Sequence, residues 1–282
     1  MAVIIGNSGV WLDIVKKLKE LDLYANTPGD IQPLMTRLCE EFEPTVATKR
    51  REVESRITEV RNKIVDLRLE RGFVKVVMSP LKIVGHYFAI FRIRLGLRYF
   101  VAKLKNQLLE LKRLLGSPEL AGATAELAVI DILQKLPSDH VVINDVKLKA
   151  PHFIRFEGKP LQSAQIDHLV LSPAGVFVVE TKCWSKGFAE HGNYHNPFDQ
   201  VRRASYLCHV VLKGIFGSIK TRSIIACVGH LPSSNQPYDY VKVLRLHEIN
   251  NYVTWFKKGD LSDETLSLLR NYLEKFVCRG NS

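Results

Sequence analysis

Four residues, Ser172-Pro173-Ala174-Gly175, separate two short runs whose side chains constrain this 282-residue chain more than any other feature. Gln165 to Leu171 alternates polar and apolar residues, and Val176-Phe177-Val178-Val179 is a largely β-branched apolar run, so both read as strands. The spacer reads as a turn, with Pro173 fixing φ near its start and Gly175 free to take a left-handed position at its end. A tight hairpin with an even-numbered loop sets Ser172 opposite Gly175, Asp167 opposite Glu180 and Gln165 opposite Lys182. Because side chains two residues apart share a face, Glu180 and Lys182 point one way and Thr181 the other. A bulge at Gly175 would shift this register by one residue and turn Glu180 to the other face.

Facing carboxylates repel across a ladder by ~0.2–1 kcal/mol relative to a neutral pair, so a site of this kind calls for a cation. Oxygen ligands suit Mg²⁺ or Mn²⁺, with Asp167 and Glu180 as ligands and the Thr181 carbonyl as a further one. Lys182 beside them would orient a water or steady charge on a transferring phosphorus, which makes phosphodiester hydrolysis the first expectation. The alternative is an ordinary surface ion pair on a hairpin.

The surroundings bear on that choice. Asp167 with Glu180-x-Lys182 resembles the PD-(D/E)XK nuclease signature, and the flanking text resembles one branch of it, the nuclease-related domain or NERD. The similarity runs from about Gly122 to Val253. It takes in Gly122-Ala123-Thr124-Ala125-Glu126, Asn144-Asp145-Val146, Gln165-Ile166-Asp167-His168, Gly175 to Lys182 followed by Trp184, and Asn196-Pro197-Phe198-Asp199-Gln200. The resemblance implies that Glu126, Asp167, Glu180, Lys182 and Gln200 form the catalytic set, with Glu126 joining Asp167, Glu180 and Thr181 around the metal. Position 204, where related nucleases often have tyrosine, is alanine here, and the nearest tyrosine is Tyr206. The family implies DNA processing, repair or defence, and DNA is favoured over RNA; Gln165 and Trp184 are candidate nucleic-acid contacts.

The residues around these motifs are read independently. Ser117-Pro118 opens a helix reaching Leu136, with Leu127, Ile130, Leu133 and Leu136 as its apolar face and Glu126 at the border, where a glutamate is ordinarily solvated. Asn196-Pro197 opens another, to about residue 213, with Gln200 in its first turn. Strands follow at 223–228 and 240–246, then helices at 247–256 and 262–277. His191 and His195 are of zinc-ligand type but lack a usual ligand spacing.

Upstream, Val53, Ile57, Val60, Ile64 and Leu67 alternate spacings of four and three, a short heptad seam that fits either an antiparallel helix pair or a coiled-coil homodimer. Pro80 should break or kink the path to the next helix. A helix is expected near Val10 to Leu23, and another short one after Thr27-Pro28-Gly29-Asp30.

The net charge of +11 is concentrated between Arg71 and Leu115, where ten basic residues face one acid, Glu110. Arg94, Arg98, Lys105 and Lys112 recur at helical spacing, a stripe suited to nucleic-acid phosphates. Tyr87, Phe88, Phe91, Tyr99 and Phe100 in the same stretch also suit a membrane surface, while Arg92, Arg94 and Arg98 argue against a span. Five scattered cysteines and no secretory leader fit a cytoplasmic protein.

The expectation is thus an α/β protein with a restriction-endonuclease-like core, its mixed central sheet flanked by helices. An all-helical N-terminal region precedes it, with domains at 1–115 and 116–282. The expected activity is that of a Mg²⁺-dependent nuclease or endonuclease; the rival is a non-catalytic nucleic-acid-binding or scaffold protein, with a membrane surface as a further partner.

Overall fold

A computed structural model describes residues 1–69, 73–186, 196–230, 240–257, 259 and 261–278, leaving out the side chains of 73–79. The chain makes two compact units, Met1–Lys19 with Ser117–Ser282, and Glu20–Gly116. The first 19 residues therefore go with the sheet-bearing unit, where sequence had put them in the helical region.

That unit is built on a six-stranded mixed sheet whose spatial order follows the chain: β1 (Val3–Ile5), β2 (Val141–Phe156), β3 (Lys159–Ser172), β4 (Gly175–Trp184), β5 (Thr221–Gly229) and β6 (Val241–Arg245). Strands β2, β3 and β4 run antiparallel, β1 lies parallel to β2, and β4, β5 and β6 are mutually parallel. The β3–β4 turn has the expected register, Ser172 opposite Gly175 and Leu171 opposite Val176, with no slip. Gly175 sits at φ 123°, and a Cβ there would meet the Lys220 carbonyl at 2.4 Å, so no other residue fits this corner.

Helices cover both faces. On one, α5 (Pro197–Phe216) contributes Val201, Ala204, Leu207 and Leu212, and α7 (Asp263–Leu273) Leu266, Leu269 and Leu273, to a core that includes Leu169, Leu171, Val176 and Val178. On the other, α4 (Pro118–Leu133) and α6 (Leu246–Trp255) place Val129, Leu133, Ile249 and Val253 against Val170, Phe177 and Val179. Each such side chain contributes roughly 1.5–3 kcal/mol by leaving water. Helix α4 is capped as its sequence foretold, Ser117 Oγ accepting from the Leu120 N–H, and α5 likewise, Asn196 Oδ1 accepting from the Phe198 N–H. A short α1 (Gly9–Glu20) follows β1 and buries Trp11, Ile14 and Leu18.

The second unit is a helical hairpin. Helix α2 (Ile31–Leu69) is far longer than the short helix expected after Asp30, and it carries the heptad seam; α3 (Phe73–Leu115) returns alongside it. Val53, Ile57 and Ile64 pack with Ile90, and Val60, Ile83, Ile93 and Leu97 close the seam from its sides. The partner helix the seam calls for is therefore supplied by the same chain. Of the expected break or kink at Pro80, the break does not occur, since Pro80 lies inside α3. A proline costs a helix about 3 kcal/mol, and the seam that resumes at Ile83 provides apolar burial of that order. Among the described residues no helix is long and apolar enough to cross a membrane.

Candidate functional site

The site forms where the sheet stops being regular. The β3–β4 ladder ends at His168 opposite Val179, so Asp167 and Glu180 do not pair as the count required, and Gln165 pairs with Lys147 on β2 rather than facing Lys182. On the other side of β3, Asn144 pairs with His168 and Val146 with Ile166, but Asp145 and Asp167 between them do not pair. Ile143 and Val146, three residues apart, nevertheless share one core, as do Leu169 and Ile166. Side-chain alternation thus slips by one residue at Asp145 and Asp167, and Asp145 absorbs the irregularity with φ 51°. The Thr181 N–H, released from the ladder, donates to Asp167 Oδ2 at 2.7 Å. The Asp167 carboxylate thereby takes the place of a strand partner there.

Acidic groups gather around this opening from both layers. Glu180 is 2% exposed, and Lys182 donates to its Oε1 at 2.6 Å and to Gln200 Oε1, from α5, at 3.0 Å. Glu126 comes from α4 on the opposite face and is 9% exposed. It lies on the buried side of that helix with Val129, Ile130 and Leu133, not at its border as the sequence suggested. Burial first, then the Asp167 charge, pushes the Glu180 carboxyl up to about 8 against the pull of Lys182. Burial and the charges of Asp167 and Asp145 push Glu126 to about 7, although hydrogen bonds from Ser8 and the Val10 N–H oppose them. Asp167 is raised by desolvation of its carboxyl and by Asp145, with the Thr181 N–H and Lys182 acting the other way.

Asp167 thus raises both Glu126 and Glu180, and Lys182 offsets Asp167 and Glu180. Crowded, desolvated oxygen donors are of the chemical type that a hard divalent cation takes as ligands. Among the described residues no three His, Cys, Asp or Glu groups are drawn to ligand spacing. Glu180 is engaged by Lys182 and Glu126 by Ser8.

Behind the acids runs a buried polar rail. His168, fully buried, bonds Asn144 Oδ1 through Nδ1 at 2.8 Å and Thr181 Oγ1 through Nε2 at 2.9 Å, while the Asn144 amide donates to the Gly6 carbonyl at 3.4 Å. Burial depresses the imidazole to about 3, so it is neutral. With the Asn144 oxygen as acceptor, Nδ1 carries the proton and Nε2 accepts from the Thr181 hydroxyl. The rail joins β1 to β4 and fixes Thr181 facing away from Glu180 and Lys182. Leaving one such buried group unpaired costs about 1–3 kcal/mol.

Sequence reasoning missed the N-terminal contribution. Ser8 Oγ donates to Glu126 Oε2 at 2.7 Å and accepts from the Trp11 N–H at 3.0 Å, so one hydroxyl caps α1 and holds a site carboxylate. Gly9 adjoins it, where a Cβ would strike the Asp145 carboxylate at 2.6 Å. The signal was Ser8-Gly9 before an amphipathic run, legible as a helix cap but not as part of a site 118 residues away.

The remaining candidates have other surroundings. Trp184 is 4% exposed and belongs to the core, so it is not presented for stacking on a base. Gln165 is exposed but donates to Asp145 Oδ1 at 2.7 Å. Ala204 is buried, and Tyr206 packs against Phe156 with ring centres 5.3 Å apart. Arg94, Arg98, Lys105 and Lys112 are exposed on α3 in the other unit. His191 and His195 lie outside the described residues.

The family model described as a nuclease-related domain, NERD, matches residues 121–228. No curated protein matches the chain. A solved structure, protein VC1899 from Vibrio cholerae, is 12% identical with a TM-score of 0.31, covering 80% of this chain; the chain spans 57% of that protein's length.

Proposed function

Residues 121–228 of this chain belong to the NERD family, within the restriction-endonuclease-like superfamily, and from that premise we propose a metal-dependent nuclease that hydrolyses phosphodiester bonds in DNA. The observation that carries the proposal is the meeting of Glu126, Asp167 and Glu180 with Lys182 and Gln200 where β3 and β4 part. Asp167, Glu180 and Glu126 would hold Mg²⁺ or Mn²⁺, with the Thr181 carbonyl as a further ligand. A cation bound there would stabilise the negative charge that develops on the transferring phosphoryl group.

The chain's own residues supply the rest. Lys182, whose ammonium already bridges Glu180 and Gln200, orients the attacking water and steadies charge at phosphorus. Gln200 holds that ammonium and is exposed to an approaching strand. Ser8 and the Val10 N–H hold the Glu126 carboxylate, and the Thr181 N–H holds Asp167, so both acids are restrained before substrate arrives. The five cysteines are free, which fits a cytoplasmic setting.

The test is to incubate the protein with linear, circular, single-stranded and branched DNA, and with RNA, in Mg²⁺, Mn²⁺ or chelator. Cleavage of DNA that needs the cation, and falls at least about a hundredfold in Lys182→Ala with the thermal midpoint kept, is expected. Tight binding without cleavage in any divalent metal would favour the rival reading, a nucleic-acid-binding scaffold.

A further inference from the structure

Helix α3 has two apolar faces, and only one is used within its hairpin. Ile83, Ile90, Ile93 and Leu97 pack on α2. On the opposite side Leu81, Val84, Phe88, Phe91, Leu95 and Tyr99 recur at spacings of three and four, forming one row on a helix of about 3.6 residues per turn. All six are exposed, Phe88 at 60% and Phe91 at 59%. Large side chains left in water in a continuous row mark a contact surface, whereas single ones do not.

The charge beside the row says what it contacts. Arg92 borders one flank, and Arg94, Arg98 and Lys105 the other, all exposed; Lys103, on the Arg92 side, pairs with Asp22. Leu95, Gly96, Tyr99 and Ala102 line a shallow depression between Arg92 and Arg98. From Arg71 to Leu109 there is no aspartate or glutamate. We infer that this face of α3 lies on an anionic lipid surface, its apolar row set among the acyl chains and its flanking cations on the phosphate headgroups.

Three physical points select this occupant. A second copy of the row would bring like-charged flanks together, which disfavours self-association. Nucleic acid would engage the cations but leave Phe88 and Phe91 in water. A helix with aromatic and aliphatic side chains between rows of Arg and Lys matches the apolar-to-charged gradient of a bilayer interface. Because α3 lacks a membrane-spanning stretch among its described residues, it lies along the surface. The inference does not depend on nuclease activity.

The experiment is co-sedimentation of the full chain with vesicles of phosphatidylcholine alone or with about one third phosphatidylglycerol, alongside duplex DNA binding and light scattering. Binding to the anionic vesicles, at least about tenfold weaker to neutral ones, is expected. Phe88→Ser/Phe91→Ser should reduce vesicle binding about tenfold or more with DNA affinity unchanged. Arg94→Glu/Arg98→Glu should reduce it with the midpoint of unfolding kept, since these side chains are exposed. Failure to sediment with anionic vesicles, or sedimentation undiminished by both variants, overturns the inference. So does a dimer that Phe88→Ser/Phe91→Ser dissolves, or a loss of DNA affinity matching the loss of vesicle binding.

Discussion

Glu180 and Glu126 carry protons in the folded chain at pH values where an unfolded glutamate has lost its own. Both rise from 4.5, one to about 8 and the other to about 7. Between the unfolded and folded values the native state binds more protons, so the metal-free protein loses stability as pH climbs from about 5 to about 8 and then levels off. A cation must displace those protons, so its affinity should rise across the same window by about tenfold per pH unit for each proton released. Titration calorimetry with Mn²⁺ at pH 6 and pH 8 should therefore give tighter binding at pH 8, with a larger rise in thermal midpoint; equal affinities would contradict the assignment. Ser8 offers a second expectation, because its hydroxyl orients Glu126 and caps α1 at once. Ser8→Ala should lower the cleavage rate about tenfold and stability by about 0.5–2 kcal/mol, and Ser8→Thr should restore most of both, measured by single-turnover kinetics and urea unfolding.

Elements divide into those whose residues announce them and those defined by distant partners. Strands β3 and β4, with the glycine turn between them, were legible because alternation, β-branching and a Pro–Gly pair agree. Helices α4 and α5 declared their caps at Ser117-Pro118 and Asn196-Pro197. Strand β1 did not, for three residues carry no periodicity, and only pairing with Val141 to Ile143 makes Val3 to Ile5 a strand. The slip at Asp145 and Asp167 was equally hidden, since a left-handed aspartate leaves no mark in an alternating pattern. Glu126 looked like a solvated helix residue because its partner, Ser8, lies in a segment that seemed to belong elsewhere. These N-terminal elements supply a direct expectation. A chain lacking residues 1–19 keeps every residue of the 121–228 family match yet loses the strand beside β2 and the hydroxyl on Glu126. It should cleave at least about tenfold more slowly and unfold at a lower temperature, both measured against the full chain.

At the scale of the whole molecule, the chain divides into two units of different chemistry. One gathers carboxylates at a break in a sheet; the other is a hairpin of long helices that carries most of the excess positive charge. The hairpin's seam was readable from Val53, Ile57 and Ile64, but Pro80 does not end its helix, whose packing on α2 resumes at Ile83. The function proposed for the sheet-bearing unit requires a cation to enter among Glu126, Asp167 and Glu180, and that can be seen directly. Anomalous scattering from crystals soaked in Mn²⁺ should place an ion in the gap among these carboxylates, about 2.0–2.3 Å from the oxygens of Asp167 and Glu180, with Lys182 displaced from Glu180. Density for Mn²⁺ elsewhere, with the Lys182–Glu180 pair intact and the gap empty at saturating metal, would contradict the account.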